Sequence, residues 1–412
     1  MYNNISVIGL GYIGLPTAAV FADAGLHVLG IDVNAEAVAS INQGKPHIFE
    51  PNLEALLQRA VQEGRLKASL TPQPADAFII AVPTPFKESH KPDLRFVEAA
   101  AKSVAPVLQK GNLVILESTS PVGTTEKLGD WLALERPDLT FPKAAGEASD
   151  IRLAYCPERV LPGKILHEVV HNDRIIGGLT PACAHAASQL YKKVVKGGCH
   201  QTNARTAELA KLTENAFRDV NIAFANEMAT IADDLAINPW ELIRLANLHP
   251  RVNILQPGPG VGGHCIAVDP WFIVDSSPEH AKLIASARAI NDGRPAQVVA
   301  KIAQLAKSEK HPVIACLGLA YKANIDDVRE SPAMEVVELL AKSGIGEILT
   351  VDPYVAELPK KLIGMKLRHT NQAEALAKAN IVVLLVDHDG FKTIDRNLLR
   401  SKQIVDTRGV WG

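Results

Sequence analysis

The sequence predicts an α/β protein with two Rossmann-like, doubly wound parallel-sheet domains, joined by a long central helix and a small helical domain. Three observations lead to this prediction. Over the first 200 residues, short apolar segments of strand length alternate with helical segments. A long helical stretch follows from about Thr202, and the alternation resumes at His311. Such alternation is typical of parallel sheets that are covered by helices on both faces.

Residues 1–200 are predicted to form the first of these domains. The opening segment NISVIGLG is typical of a strand, and YIGLPTAAVFADAG is typical of an apolar helix that ends at Gly25. Further strands are predicted in HVLGIDV, AFIIAVPTP, NLVILESTS and LAYCPERV. Their apolar residues form short continuous runs, which indicates strands that are buried on both faces.

Residues 201–305 are predicted to form the central helical part. The stretch from Asn203 to Ala236 has no internal Gly or Pro, and its apolar residues recur at helical spacing: Leu209, Leu212, Ala216, Val220 and Ala223. A helix this long and apolar needs another surface to bury it, so we expect it to join two domains or two subunits. Residues 306–412 are predicted to form the second, smaller α/β domain, with strands in PVIACLGLA, EILTVDP, IVVLLVD and KQIVDTRG.

Composition excludes several classes of protein. The chain has 412 residues, of which 47% are apolar, and a formal net charge of −2. This balance predicts no nucleic-acid or membrane-surface partner, and no apolar run reaches the roughly 18 residues of a membrane span. The five cysteines are odd in number and form no CxxC pair. We therefore expect no disulfide framework, no metal site and a cytoplasmic location.

The first strand runs into Gly9, Gly11 and Gly14, a GxGxxG pattern that opens a helix. In a dinucleotide site the first glycine permits a tight turn, the second lets the backbone approach the pyrophosphate, and the third lets helix and sheet pack closely. Asp32 ends the next strand, at the spacing where an acid accepts from the ribose hydroxyls. Because Asp32 would repel a 2′-phosphate, the pattern favours NAD over NADP. The alternative is a tight turn without a ligand.

A second distinctive segment is QPGPGVGGHCIAVDP, which contains Cys265. A thiol is nucleophilic only as a thiolate, so it needs positive charge or N–H donors nearby. Glycines at positions 260, 262 and 263 would let backbone amides crowd that sulfur, and Asp269 lies four residues further on. This setting indicates a nucleophile. The alternative is a small buried apolar residue.

Several charged and polar residues occupy positions suited to a site. Lys211 and Asn215 are four apart and share one face of the long helix, and Glu158 follows a strand at its carboxyl end. Lys322 and Arg329 flank a loop after a strand of the second α/β domain, where both could meet phosphate. The alternatives are a solvated helix face, a structural ion pair and a solvated charged turn, respectively.

Together these segments resemble the UDP-glucose/GDP-mannose dehydrogenase family. The resemblance covers nearly the whole chain, in order, through the segments VIGLGYIGLP, ESTSPVGTT, YCPERVLPG, ELAKLTENAFRDVNIAFANE, GPGVGGHCIAVDP and GLAYKANIDDVRESPA. It implies an NAD-dependent enzyme, with NAD on the N-terminal domain and UDP on the C-terminal one. It also implies that the long helix forms the interface of a homodimer.

The implied reaction is the four-electron oxidation of the C6 hydroxyl of a UDP-sugar to a carboxylate, through a thiohemiacetal and a thioester on a cysteine, for bacterial surface polysaccharide synthesis. The resemblance implies catalytic roles for Cys265, Lys211, Asn215, Asp269, Glu158 and Thr119. It implies cofactor contacts for Gly9, Gly11, Tyr12, Ile13, Gly14, Asp32, Thr84, Thr119 and Arg329. It implies substrate contacts for Glu158, Arg159, Lys211, Asn215, Gly262, Lys322 and Arg251, the last of these lent by the neighbouring subunit.

The sugar is the least constrained part of this expectation. The segment HPRVNILQPGPGVGGHCIAVDPWF implies UDP-N-acetyl-D-mannosamine (UDP-ManNAc). Family members that act on UDP-glucose usually carry a lysine where this chain has Val268, which disfavours glucose. UDP-GlcNAc, UDP-GalNAc and UDP-glucose remain alternatives. Two other classes are a two-electron hydroxyacid dehydrogenase, which needs no cysteine, and a non-catalytic NAD-sensing module.

Overall fold

The computed structural model describes residues 2–87, 90–161, 163–263 and 265–411. The chain divides into two compact units, Met1–Glu214 and Asn215–Gly412. The boundary falls inside one continuous helix, because the long stretch predicted after Thr202 is a single helix over Ala204–Asp234. The finer division of the chain at residues 200 and 305 stays a prediction.

The first unit consists of a sheet with helices between its strands. Its strands are β1 Asn4–Ile8, β2 His27–Ile31, β3 Leu66–Ser69, β4 Ala77–Ile80, β5 Leu113–Leu116, β6 Arg152–Tyr155, β7 Arg174–Gly178 and β8 Cys199–Asn203. Its helices are α1 Gly14–Asp23, α2 Ala35–Asn42, α3 Leu53–Gln62, α4 Arg95–Val104, α5 Thr124–Glu135, α6 Pro142–Ala145, α7 Ile165–His171 and α8 Pro181–Tyr191, followed by the start of α9 Ala204–Asp234.

The eight strands lie in the order β3-β2-β1-β4-β5-β6-β7-β8. Chain order reverses between β1 and β4, and this is the switch point at which doubly wound sheets bind ligands. Successive residues alternate between two apolar clusters, with Ile79 in one and Phe78 and Ile80 in the other. The sheet is therefore buried on both faces, as its apolar runs predicted.

One strand pair departs from the predicted all-parallel arrangement. β6 and β7 are antiparallel, with Ala154 opposite Gly178 and Tyr155 opposite Gly177. The chain that leaves β6 does not cross back to the other end of the sheet before it pairs again. Instead β7 begins beyond the carboxyl end of β6 and runs backwards along it, which brings the residues at the start of β7 to the ligand-binding edge.

The second unit contains most of α9, further helices and a smaller sheet. The helices are α10 Pro239–Ala246, α11 Asp269–Ser276, α12 Lys282–Ala306, α13 Pro332–Ser343, α14 Gln372–Lys378 and α15 Asp389–Lys392. The strands are β9 Val313–Leu317, β10 Glu347–Val351, β11 Arg368–His369, β12 Ile381–Leu384 and β13 Gln403–Asp406. All pair in parallel, in the order β11-β10-β9-β12-β13, so the second doubly wound domain is confirmed.

Several helices begin at a polar residue followed by proline. Thr180, Asn238 and Ser331 each precede a proline, and their side-chain oxygens accept hydrogen bonds from backbone N–H groups of the first turn. Proline fits the first helical position because its missing N–H would lack a partner there. Among the described helices, none combines the length and apolar character that crossing a bilayer requires.

Candidate functional site

The glycines after β1 form the turn that the sequence predicted. Gly9 has φ +91°, and a Cβ there would lie 2.6 Å from the Ala81 carbonyl oxygen. A Cβ on Gly14 would lie 1.8 Å from the carbonyl oxygen of Gly9, so no larger residue fits. A Cβ on Gly11 would meet no atom within 4 Å, so this exposed position is open to a ligand. The loop has the strained turn, the close packing and the open approach that a pyrophosphate needs.

Asp32 follows β2 and shapes the same loop. Its Oδ2 accepts a hydrogen bond from the Leu10 N–H at 2.9 Å, and its Oδ1 accepts one from the Asn34 N–H at 2.9 Å. The side chain is half-buried, and each carboxylate oxygen keeps a second lone pair for a ribose hydroxyl. Tyr12 is exposed and Ile13 is half-buried beside the glycines. These residues fit NAD.

Thr84 and Thr119, two predicted NAD contacts from different loops, lie together at the carboxyl edge of the sheet. The Thr84 hydroxyl donates to the Thr119 carbonyl oxygen at 2.5 Å. The segment after Thr119 is fixed by Glu208 of α9, whose carboxylate accepts from the N–H groups of Gly123 at 2.6 Å and Thr125 at 2.8 Å. Helix α9 therefore anchors the start of α5, which the sequence did not predict.

Glu158 belongs to a buried ionic cluster at the same edge. Its Oε2 lies 2.6 Å from Nη2 of Arg174, the first residue of β7, and Nη1 of Arg174 lies 3.6 Å from Oε1 of Glu117. Arg174 and Glu117 are 2% and 1% exposed. Burial and the charge of Glu158 raise the pKa of Glu117 to about 8, although Arg174 opposes the shift. The ion-pair alternative for Glu158 is thus realised, and the catalytic role stays a prediction.

Two more predicted substrate contacts, Arg159 and Lys211, belong to the first unit, and their environments differ. Arg159 pairs with Glu214 of α9, with Nη2 2.7 Å from Oε1, and its Nη1 donates to the Asp173 carbonyl oxygen. Lys211 is buried, so it does not belong to a solvated helix face. Asn215 follows one turn later on α9, in the second unit.

In the second unit, Asn215 and Asp269 form a direct pair. The Asn215 side-chain amide donates to Oδ2 of Asp269 at 2.5 Å. Asp269 is the buried first residue of α11, and its N–H donates to the Cys265 carbonyl oxygen at 2.8 Å. A tight turn therefore ties Cys265 to Asp269, so the predicted helix residue Asn215 and the cysteine loop are brought together.

Cys265 is exposed, which excludes the alternative that it is a small core residue. Of the other cysteines, Cys156, Cys183 and Cys316 are buried and Cys199 is half-buried. Burial raises the pKa of the Cys156 and Cys316 thiols to about 12. Cys265 is thus the most exposed cysteine of the chain, and it lies in the loop that contains the glycines at positions 260, 262 and 263.

Those glycines have a packing role that the sequence did not predict. A Cβ on Gly262 would lie 2.4 Å from the Glu330 carbonyl oxygen and 2.6 Å from Cδ of Pro332, and one on Gly263 would lie 3.1 Å from the Tyr321 ring. The glycines therefore let the cysteine loop lie against the loop between β9 and α13. Their predicted role, to gather backbone amides around the sulfur, is not needed to explain them.

The remaining predicted contacts are on exposed segments. Lys322 is exposed, and Arg329 is exposed with its guanidinium bonded to both carboxylate oxygens of Asp327, with Nη2 2.6 Å from Oδ2. Arg251 is also exposed, after α10. The structure is compatible with the alternative of a solvated charged turn for Lys322 and Arg329, and the binding roles of all three stay predictions.

The turn after β9 copies the turn after β1 without its open position. Gly318 has φ +98°, and Oδ2 of Asp352 after β10 accepts from the Leu319 N–H at 2.7 Å, as Asp32 does for Leu10. However, the same Asp352 oxygen also faces Nε2 of buried His388 at 3.1 Å, and Ala320 stands where the first turn has Gly11. Asp352 is buried, so it offers no ribose-binding carboxylate.

Glu117 and Arg174 are the parts of this site that the sequence reasoning missed. Glu117 had a visible signal, because it directly follows the fully apolar strand β5. Arg174 had none, because its neighbour Glu158 is 16 positions away and the antiparallel pairing of β7 brings the two together.

Comparisons with known proteins agree with this geometry. The NAD binding domain of the UDP-glucose/GDP-mannose dehydrogenase family matches residues 3–195, its central domain matches 205–293, and its UDP binding domain matches 315–412. The UDP-N-acetyl-D-mannosamine dehydrogenase of Yersinia pestis is 59% identical over 419 residues, covering 100% of this chain and 99% of that protein. The NDP-N-acetyl-D-galactosaminuronic acid dehydrogenase of Ralstonia nicotianae is 59% identical over 410 residues, covering 100% and 96%.

A solved structure extends the likeness to the fold. The UDP-D-ManNAc dehydrogenase of Pyrococcus horikoshii is 40% identical and superimposes with a TM-score of 0.88, covering 99% of this chain and 96% of that one. All three parts of the family are matched, in order. The chain therefore belongs to the UDP-glucose/GDP-mannose dehydrogenase family and is an NAD-dependent nucleotide-sugar dehydrogenase.

Proposed function

We propose that this enzyme oxidises the C6 hydroxyl of UDP-ManNAc to a carboxylate, giving UDP-N-acetyl-D-mannosaminuronate. The observation that carries the proposal is the exposed Cys265, tied by a tight turn to the buried Asp269, which accepts a hydrogen bond from the half-buried Asn215. A dehydrogenase that stops at a carbonyl has no use for such a thiol. An enzyme that carries an alcohol through to an acid needs to hold the aldehyde between its two oxidations.

The chemistry explains why a thiol is suited to this task. Oxidation of a primary alcohol to an acid removes four electrons, and NAD, when bound, accepts two of them in each of two steps. After the first step, the Cys265 thiolate adds to the aldehyde carbon and forms a thiohemiacetal, which is again an alcohol. Its oxidation gives a thioester. Water then attacks the thioester carbonyl, the carbon–sulfur bond breaks, and the acid and the free thiol are released.

The neighbouring side chains are assigned by their chemistry. Lys211 and Asn215 stabilise the negative charge that develops on the C6 oxygen, as an ammonium and an amide donor can. Glu158 and Asp269 move protons to and from the substrate and the attacking water, and Thr119 holds that water. The proposal is supported by the burial of Lys211 and Asp269, because charge is stabilised more strongly away from bulk water. Arg159, Arg251, Gly262 and Lys322 are assigned to the substrate, and Arg329 to the cofactor.

The choice of sugar rests on the cysteine loop. Val268, immediately before Asp269, is buried and uncharged, whereas family members that act on UDP-glucose usually have lysine there. Relatives named for N-acetyl-mannosamine and for N-acetyl-galactosaminuronic acid are equally similar, at 59% identity. Identity alone therefore favours a 2-acetamido sugar without selecting one, and the loop sequence is the reason for proposing the manno isomer.

A substrate panel tests this choice. We expect the highest kcat/KM for UDP-ManNAc when it is compared with UDP-GalNAc, UDP-GlcNAc and UDP-glucose, with at least about a tenfold margin, which corresponds to ~1.4 kcal/mol of transition-state binding. NADH formation at saturating NAD is the measurement. A higher kcat/KM for UDP-GalNAc would transfer the proposal to the other 2-acetamido sugar, and a higher value for UDP-glucose would contradict it.

We also propose that the enzyme is a homodimer built on α9. The predicted apolar stripe is only partly right, because Leu212, Ala216 and Ala223 are buried within the chain while Leu209 is exposed. A second apolar face remains exposed on the same helix: Leu209, Phe217, Phe224 and Ile231. Phe217, Phe224 and Ile231 recur every seven residues, so they lie on one side of the helix, and Phe217 is 70% exposed. An apolar row of this length favours burial against a second copy.

Sedimentation of a charged variant tests the dimer. Phe217→Glu combined with Phe224→Glu is expected to give monomers at micromolar concentration, because two carboxylates would be buried without partners. Leu134→Glu, at an exposed leucine of α5, is the matched control and is expected to stay dimeric. Wild-type enzyme that sediments as an active monomer would contradict the interface.

The three matched segments suggest which part of the chain binds NAD, which part forms the dimer contact and which part binds UDP. We propose that residues 1–200 bind NAD, that 201–305 form the dimer contact and that 306–412 bind the UDP group. The match of 3–195 to an NAD binding domain and of 315–412 to a UDP binding domain supports the two outer assignments. No disulfide joins the cysteines of the described residues, which supports a cytoplasmic location.

A further inference from the structure

Glu117, Arg174 and Glu158 form a cluster of buried ionisable side chains. Glu117 follows β5, Glu158 follows β6, and Arg174 opens β7, so three neighbouring strands each place one ionisable side chain at the carboxyl edge of the sheet. All three residues are less than a tenth exposed. A buried charge is costly unless it is paired, and replacing such a group by an apolar residue is often neutral or stabilising. A cluster of this kind at a ligand-binding edge is therefore a candidate functional feature.

The distances show how the single positive charge is divided. Nη2 of Arg174 lies 2.6 Å from Oε2 of Glu158, whereas Nη1 lies 3.6 Å from Oε1 of Glu117. The close ion pair is thus with Glu158. The second oxygen of Glu158, Oε1, accepts a hydrogen bond from the Arg159 N–H at 2.8 Å. Oε1 of Glu158 is thus held by a hydrogen bond, and Oε2 is held by the ion pair with Arg174 alone, without a hydrogen bond.

The hydrogen-bond donors to Glu117 are hydroxyl groups, in contrast to the guanidinium that pairs with Glu158. The Tyr191 hydroxyl donates to Oε1 at 3.2 Å, and the Thr17 hydroxyl donates to Oε2 at 3.4 Å. Burial and the charge of Glu158 raise the pKa of Glu117 to about 8, which favours its protonated form at neutral pH. Two other titratable groups face the cluster, the Cys156 thiol and the Tyr191 phenol, and burial raises the pKa of both, so they are uncharged as well. Glu158 is therefore the group in this cluster that pairs with the positive charge of Arg174.

The antiparallel course of β7 is what makes the pair possible. Tyr155 lies opposite Gly177 and Ala154 lies opposite Gly178. Each step forward along β6 is a step backward along β7, so the chain after β6 runs toward the start of β7, where Glu158 meets Arg174. A parallel β7 would place its first residue at the other edge of the sheet. The guanidinium also lies over the Tyr191 ring, with Cζ 4.9 Å from the centroid, which limits its movement.

From this geometry we infer that Arg174 is the positioning residue for Glu158: its guanidinium, 2.6 Å from Oε2, orients the Glu158 carboxylate for its proton transfers. The inference rests on the proposed function, in which Glu158 handles protons. Arg174 itself is buried behind Glu158 and acts through it. Neither Arg174 nor Glu117 has been assigned a contact with NAD or with the sugar, so their variants are expected to act on the rate and its pH dependence more than on KM.

The test is the pH profile of kcat in four variants. In Arg174→Gln, Glu158 loses its cation but stays beside Glu117 in a buried position, so protonation is favoured. We expect the acid limb of the profile to move to higher pH by about one unit or more, since an opposite charge at this range shifts such a group by about one to three units. KM for NAD and for the UDP-sugar is expected to stay within about threefold, which is ~0.6 kcal/mol.

Two conservative variants keep the test decisive if Arg174→Gln does not fold. Arg174→Lys retains the positive charge and is expected to keep the acid limb within about half a unit of wild type. Glu117→Gln replaces a protonated carboxyl by an amide of the same shape and is likewise expected to leave the limb in place. A downward shift of one unit or more in Glu117→Gln would show that Glu117 is ionised and shares Arg174, and would overturn the inference.

Glu158→Gln separates this inference from the proposed function. We expect it to lose the acid limb, because no carboxyl remains to titrate there. If the limb persists in Glu158→Gln, it belongs to another group such as Asp269, and the inference fails. If the limb is lost in Glu158→Gln but unmoved in folded Arg174→Gln, the proposed function stands and the positioning role of Arg174 is refuted. A merely structural role would lower the folded fraction without moving the limb.

Discussion

Replacing Cys265 by serine or alanine is expected to abolish carboxylate formation while the enzyme still binds NAD and the UDP-sugar. The exposed Cys265 lies outside the apolar core, so its removal leaves no cavity and folding is expected to be unchanged. A serine hydroxyl has a far higher pKa than a thiol and is a poor nucleophile at neutral pH. The aldehyde then has no covalent partner, and the second oxidation does not start.

The expected loss in kcat is on the order of a thousandfold or more, as is typical when a covalent nucleophile is removed. Steady-state NADH formation measures it, and titration of ligand binding shows that the sites are intact. Cys265→Ser is expected to leave traces of aldehyde or an ester on the new serine, which hydrolyses more slowly than a thioester. Cys199→Ser is the matched control, since that half-buried thiol has no assigned role, and is expected to be fully active. A Cys265→Ala enzyme that forms two NADH per sugar at nearly the wild-type rate would end the thioester mechanism.

Gly262→Ala is expected to have the second largest effect, although it changes only one methyl group. A Cβ there would lie 2.4 Å from the Glu330 carbonyl oxygen and 2.6 Å from Cδ of Pro332, and backbone atoms cannot yield as a flexible side chain can. The cysteine loop has to move away from the loop between β9 and α13. Because misplacement of a reacting group by about 1 Å costs about a hundredfold in rate, we expect kcat to fall by that order.

Stability should respond only modestly to Gly262→Ala, since overpacking costs typically about 1–3 kcal/mol. The control is Gly293→Ala in α12, where a Cβ would meet no atom within 4 Å. Alanine in a helix interior is favoured over glycine by about 1 kcal/mol, so this variant is expected to be slightly more stable and fully active. Gly262→Ala with wild-type kcat would show that the loop contacts do not set the position of Cys265.

Local rules explain why so much of the fold could be predicted from the sequence. The turn at Gly9 and the carboxylate of Asp32 are fixed by a strand, a tight turn and a helix within about thirty residues, a self-contained βαβ unit. The apolar runs of β4 and β5 identify strands buried on both faces wherever they lie in the sheet. The Cys265 loop stands out by composition alone.

Long-range geometry explains what could not be predicted. The pair of Arg174 and Glu158 depends on the direction of β7, and strand direction leaves no mark in the sequence of the strand itself. The need for glycine at position 262 arises from Glu330 and Pro332, nearly seventy residues away. The predicted stripe of α9 combines Leu209, which is exposed, with residues that are buried, because helical spacing identifies apolar positions without telling which surface covers each of them.

The most direct test of the central claim is to count the NADH formed per sugar and to measure the mass of the enzyme during turnover. Wild-type enzyme is mixed with limiting UDP-ManNAc and excess NAD, quenched with acid during the steady state, and measured by intact-mass spectrometry with peptide mapping. We predict two NADH for each sugar consumed and a covalent sugar adduct on the peptide that contains Cys265, absent from Cys265→Ala. One NADH per sugar with a free aldehyde product, or two NADH from the Cys265→Ala enzyme without any adduct, would contradict the account.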